Sequence, residues 1–225
     1  MSLPQSFVVA SEVSSAFSPG HQMLALNTKG SNIFVLDFTT RNVSQLSAGG
    51  ESSSAVTALA FSRAGDKLAV GRADGTIRIY DVSSEITVAS LVGAHTGLIT
   101  ALAFDDSDKT LASGSPDSTV RLWGLGTSQE PLLLVFKGHP YGITSVAFVP
   151  RQRAVISGGQ DHTVQIWSTT TGAPLTGHSL QAQRVGWSRR DLSFLFSLLV
   201  LTGIWIPMSR RCALRAPMLA RLRMF

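Results

Sequence analysis

The sequence predicts an all-β chain of about four tandem units, each of four short antiparallel strands, followed by a C-terminal tail that does not share the pattern. Three observations predict it. The fifteen residues LASGSPDSTVRLWGL, Leu111 to Leu125, are nearly rewritten as VISGGQDHTVQIWST, Val155 to Thr169. Within such stretches apolar residues alternate at a period of two, the signature of a strand with one face on a core. Between them stand clusters of Gly, Asp, Ser and Pro, which favour tight turns and interrupt helices. Self-similarity at a period of about 20 to 50 residues outranks local propensity, because a single unit cannot bury its apolar face and must stack on its neighbours.

The units start near residues 13, 56, 99 and 143. The first, VSSAFSPGHQMLALNTKGSNIFVLDF from Val13, is the loosest copy. The others begin VTALAF at Val56, ITALAF at Ile99 and ITSVAF at Ile143. Asp74, Asp117 and Asp161 keep the register, as do Tyr80, Trp123 and Trp167, at steps of 43 and then 44 residues. Each unit supplies three strands up to its Tyr or Trp. Ile77 and Ile79 alternate with Arg78 and Tyr80, and Val120 and Leu122 with Arg121 and Trp123. Turns are expected at Ala64-Gly65-Asp66, Ala73-Asp74-Gly75, Pro116-Asp117-Ser118 and Gln160-Asp161-His162. A fourth apolar run follows at Val43 to Leu46, Ile86 to Val92 and Leu132 to Phe136. Ala60, Phe61, Leu68 and Val70 are expected core residues.

The net charge of +5 joins two unlike regions. Residues 1 to 180 hold 11 Lys/Arg against 13 Asp/Glu, a net −2, and residues 181 to 225 hold 8 Arg against one Asp, a net +7. A body that grips nucleic acid should spread Lys and Arg over a folded face, and this one does not. The tail carries a 17-residue apolar run, Leu192 to Met208, between Arg189-Arg190 and Arg210-Arg211. That is the lower limit for a bilayer span, and Ser193, Ser197, Gly203 and Pro207 weaken it. The single cysteine, Cys212, forms no internal disulfide, and MSLPQSFVVA lacks the features of a signal peptide, so a cytoplasmic or nuclear compartment is expected.

Sequence motifs for phosphate loops, zinc sites or an HExxH metalloprotease helix are absent, and no cofactor or metal is expected. His21, His162 and His178 stand alone and read as solvated turn residues. Asp105, Asp106 and Asp108 lack the Gly and distal Glu of a calcium loop and read as a solvated acidic turn.

The Gly-His opening before a strand, the Asp in the second turn and the Trp closing the third strand resemble the WD-repeat β-propeller family, over about residues 7 to 180. Gly138-His139, Asp161 and Trp167 carry the resemblance, and so do Gly93-Ala94-His95, Asp117 and Trp123. The Trp-Asp pair itself is replaced by Tyr80-Asp81, Leu36-Asp37, Trp123-Gly124 and Trp167-Ser168.

The resemblance implies a partial, open β-propeller, with blades linked by hydrogen-bonded chains through His95, Ser113, Asp117 and Trp123, and through His139, Ser157, Asp161 and Trp167. These serve structure and not catalysis, since a Ser-His-Asp hydrolase needs an exposed Oγ beside an oxyanion site. The second unit has Ser52, Val70, Asp74 and Tyr80 at the equivalent positions, and must rely on apolar packing.

The resemblance further implies a non-enzymatic scaffold for protein partners. Their expected contacts are the loops Thr96 to Leu98 and Pro140 to Gly142 and the turns at Arg72, Pro116 and Gln160, with Tyr141 as the candidate hot spot. Two other readings are a ribosome-assembly component, which would meet RNA only indirectly, and a propeller tethered to a membrane through Leu192 to Met208. The first rests on LAVGRADGTIRIYDV and the Gly-x-His unit after it, which resemble the small-subunit ribosome-assembly propellers of the nucleolus. Propellers of the WD-repeat family usually close with seven blades, sometimes more, so the sequence reads as truncated or alternatively spliced near Arg184, with an apolar face expected at each end of the arc.

Overall fold

The computed structural model describes residues 14–20, 22–27, 32–46, 54–126, 131–175 and 180–181. The described residues form four four-stranded antiparallel sheets and no helix. The first holds β1 (Ser15–Phe17), β2 (Met23–Asn27), β3 (Ile33–Asp37) and β4 (Val43–Leu46). In the second are β5 (Val56–Phe61), β6 (Lys67–Arg72), β7 (Ile77–Asp81) and β8 (Thr87–Leu91). The third has β9 (Ala101–Phe104), β10 (Thr110–Gly114), β11 (Thr119–Gly124) and β12 (Leu132–Lys137). The fourth has β13 (Ile143–Phe148), β14 (Ala154–Gly159), β15 (Thr163–Ser168) and β16 (Leu180–Gln181). Strands pair in chain order in every sheet. β16 is an outer strand that the sequence pattern does not show; Gln181 pairs with Thr163, one residue past the position where the repeat pattern stops.

The turn between the second and third strands recurs with the same chemistry. Asp74, Asp117 and Asp161 each accept a hydrogen bond from the backbone N–H two residues on, at Thr76, Thr119 and Thr163. Such a turn needs a left-handed residue after the Asp, and Ser118 and His162 supply it at φ 67° and 61°. A non-glycine residue pays about 1 kcal/mol for that conformation, which the side-chain bonds of the turn offset. His162 is half-buried there.

Strand alternation gives each sheet two apolar faces, and three dry layers result. Ala25, Ile33, Val35 and Leu46 of the first sheet meet Val56, Phe61, Leu68, Val70 and Tyr80 of the second. Ala69, Ile77, Ile79 and Leu91 meet Leu111 and Trp123 of the third sheet, with Ile99 from the loop before it. Ala112, Val120, Leu122 and Phe136 meet Ile143, Val146, Val155 and Trp167 of the fourth. The same recipe at each junction makes an open arc of propeller blades, none of which could bury its apolar surface alone. Ala60, expected in the core, is only half-buried. Among the described residues no helix is long and apolar enough to cross a membrane. The run Leu192 to Met208 lies outside them, as do His21, Ser52, His178 and Cys212.

Candidate functional site

The loops entering the third and fourth sheets carry His95 and His139, both buried. His95 Nδ1 lies 2.8 Å from Asp117 Oδ2, and His95 Nε2 lies 2.7 Å from Ser113 Oγ. Trp123 Nε1 donates to the same Oγ at 2.8 Å. In the fourth sheet the corresponding distances are 2.9 Å from His139 to Asp161, 2.8 Å from His139 to Ser157 and 2.8 Å from Trp167 to Ser157.

Proton directions follow from what each group can do. An indole N–H only donates and an ionised carboxylate only accepts. His Nδ1 therefore carries the proton given to Asp, and in a neutral ring Nε2 accepts from the Ser hydroxyl. All donors run one way, from indole to hydroxyl to imidazole to carboxylate. Burial holds the His95 imidazole below its ordinary range, although the Asp117 carboxylate opposes this. Burial alone would raise Asp117, but the hydrogen bonds from Thr119 and His95 outweigh it and hold the carboxyl below its ordinary range. Asp161 is lowered in the same way, through Thr163 and His139. A neutral ring against an ionised carboxylate is the state that satisfies every buried atom of the relay.

The second sheet shows the alternative. Tyr80 takes the place of the Trp, Val70 offers no acceptor, and among the described residues the buried Tyr80 hydroxyl has no hydrogen-bond partner. An orphaned buried hydroxyl costs more than its removal. Tyr80→Phe is therefore expected to raise stability by about 1 kcal/mol, seen as a higher melting temperature in calorimetry. A clear loss of stability would show that the hydroxyl has a partner.

Above the relays the loops come together. Gly142 sits against Pro116 so closely that a Cβ on it would stand 2.8 Å from Pro116 Cα, so only glycine lets the 140–142 loop lie there. The Gln160 N–H donates to the Gly142 carbonyl at 2.8 Å. Pro116, Tyr141 and Gln160, all exposed, thus share one patch, and Gly97, the chain neighbour of the exposed Leu98, lies against the Pro116 ring. Tyr141 is 63% exposed.

Arg72 is not part of that surface. The sequence reading counts it as a partner contact, whereas the structure has it 0% exposed at the end of β6, its Nη1 donating to the Ser54 carbonyl. The strand end faces the blade junction there, as its carbonyl, accepting from Ile99 N–H, shows. A cation beside a turn ordinarily signals solvent, and nothing local in the sequence marks this one as buried.

The acidic turn is also more than solvated. Asp108 accepts from the Arg63 and Ala64 N–H groups at 2.6 and 2.9 Å, and Asp106 bonds the Arg63 guanidinium at 2.9 Å and the Arg151 N–H at 3.0 Å. One turn of the third blade therefore clasps both neighbours. Among the described residues no group of three His, Cys, Asp or Glu side chains is placed to hold a metal ion.

A meander arc whose blades carry Gly-His to Trp relays defines the WD-repeat class of propeller. The family profile described as "WD domain, G-beta repeat" matches residues 87–124 and 130–168, and the one described as "Anaphase-promoting complex subunit 4 WD40 domain" matches residues 15–96. The chain belongs to the WD-repeat family. Each of the two repeat matches takes in the outer strand of one sheet and the three inner strands of the next, so a sequence repeat straddles a blade junction and ties it covalently. Among solved structures, a chain of "Crystal Structure of Mitotic Checkpoint Complex" superposes with a TM-score of 0.67 at 21% identity, over 81% of this chain and 58% of that one. The match therefore spans little more than half of that relative. With 1596 solved chains matching, the resemblance identifies a fold and not a pathway. No curated protein sequence matches the chain.

Proposed function

We propose that the chain is a non-enzymatic scaffold of the cytoplasm or nucleus that docks protein partners on the patch formed by Leu98, Pro116, Tyr141 and Gln160. The carrying observation is this exposed patch with an aromatic anchor, held on a frame of relays and dry layers that fixes its loops. Rigid loops lose little entropy on binding, and an exposed tyrosine in such a place contributes disproportionately when covered. The relay serines argue against hydrolysis: Ser113 and Ser157 are 0% exposed, and each Oγ is engaged by both an indole and an imidazole. The descriptions of two of the matches name large assemblies, the anaphase-promoting complex and the mitotic checkpoint complex, which fits a role inside a multiprotein complex without choosing one.

Tyr141→Ala is the test. Quantitative mass spectrometry of tagged wild type and variant should show specific partners reduced about tenfold or more, the usual cost of removing a hot spot, with the melting temperature unchanged. Wild-type recovery of every partner would remove this patch as the docking surface.

A further inference from the structure

The three internal junctions define what a blade needs on each side. On one side, Ala25, Ile33 and Val35 in the first sheet, Ala69, Ile77 and Ile79 in the second, and Ala112, Val120 and Leu122 in the third are all buried by the following blade. The fourth sheet repeats this face with Ile156, Val164 and Ile166, and there all three are only half-buried. On the other side, Leu68, Val70 and Tyr80 are buried by the preceding blade, as are Leu111 with Trp123 and Val155 with Trp167. The first sheet repeats that face with Leu24, Leu26 and Leu36, again half-buried. Register confirms that each set shares a face: Leu24 pairs with Leu36, and Ile156 with Ile166.

The arc thus ends in two unlike apolar surfaces that match each other as the internal junctions do. Neither set contains a charge or a polar relay, so their contact would be as dry as the layer between the first two sheets. We propose that two copies of this chain associate head to tail, the Ile156, Val164 and Ile166 face of each covering the Leu24, Leu26 and Leu36 face of the other. A heterologous contact builds an open filament unless its rotation closes. Two copies of the four described sheets give eight blades, within the range of about four to eight that propellers adopt, while a third copy would exceed it. The expected product is therefore a closed pair.

Sedimentation velocity on the full chain at micromolar concentration should show a species of twice 24.0 kDa. Ile166→Asp and Leu24→Asp each place a charge in both junctions of the pair. Each alone should weaken association about a hundredfold or more, as an unpaired buried charge does. An equimolar mixture of the two variants should regain a pair, because one of its junctions then joins two undamaged faces. If either variant loses the circular dichroism of the wild type, the milder Val164→Ser and Leu26→Ser carry the same mixing experiment. A sharply melting wild-type monomer would overturn the proposal, whether the faces are covered by the chain's own tail or left bare. So would a pair that survives either substitution, a mixture that stays monomeric, or growth into filaments.

Discussion

Replacing Ser113 with alanine is expected to destabilise the chain by about 2 to 6 kcal/mol, far more than loss of one small hydroxyl would suggest. The hydroxyl is the hub of its relay. It accepts from Trp123 Nε1 and lies 2.7 Å from His95 Nε2, and both partners are buried. Alanine strands both at once, each at about 1 to 3 kcal/mol. For a chain of this size that corresponds to a fall of roughly 5 to 15 °C in melting temperature. The diagnostic is non-additivity. Trp123→Phe removes the stranded donor, so Ser113→Ala combined with Trp123→Phe should cost clearly less than the two single changes together. Calorimetry on the four proteins of this cycle measures the coupling. A Ser113→Ala variant within about 0.5 kcal/mol of wild type would mean that the relay contributes nothing to stability. The second blade already shows the alternative arrangement, since Val70 and Tyr80 fill the same space with no acceptor among the described residues.

What could be read from the sequence divides along a physical line. The strands and the turns at Asp74, Asp117 and Asp161 are legible because they depend on residues close in the chain, where alternation and side-chain-to-backbone bonds leave a local mark. The relay residues stand at a fixed spacing for the same reason: Ser113 and Trp123 lie on paired strands of one sheet, and their separation is set by a single hairpin. Contacts between blades are a different matter. Asp106 and Asp108 capture backbone N–H groups of the flanking blades, and since nearly every residue has an N–H, the sequence gives no sign of which ones are taken. Arg72 is buried because its strand end meets the next blade, a fact about stacking and not about the residues beside it. The outer strand β16 is only two residues long, too short for any alternation to register.

The same junctions set the second large effect. Gly114→Val is expected to destabilise the chain by about 3 kcal/mol, and Gly114→Ala by about 1 to 2. In an open strand, replacing glycine with alanine would help, by roughly 0.5 to 1 kcal/mol of recovered backbone entropy. Here a Cβ would stand 2.6 Å from Ile143 Cγ2 and 3.1 Å from Val146 Cγ1, across the boundary between the third and fourth blades. Ile143 is fully buried and β-branched, so it has no spare rotamer to retreat into. Overpacking therefore outweighs the entropy term. Gly71 faces Ile99 in the same way one blade earlier, with a Cβ-to-Cγ2 approach of 2.5 Å, so Gly71→Val should be similarly costly. Ile143→Ala alone opens a cavity and costs about 2 to 5 kcal/mol, yet the freed space accommodates the new side chain at 114, so the double variant should be more stable than the sum of the single changes allows. Chemical denaturation reads all three. Full additivity, or a Gly114→Ala variant more stable than wild type, would mean that the two blades stand further apart than the geometry at Gly114 requires.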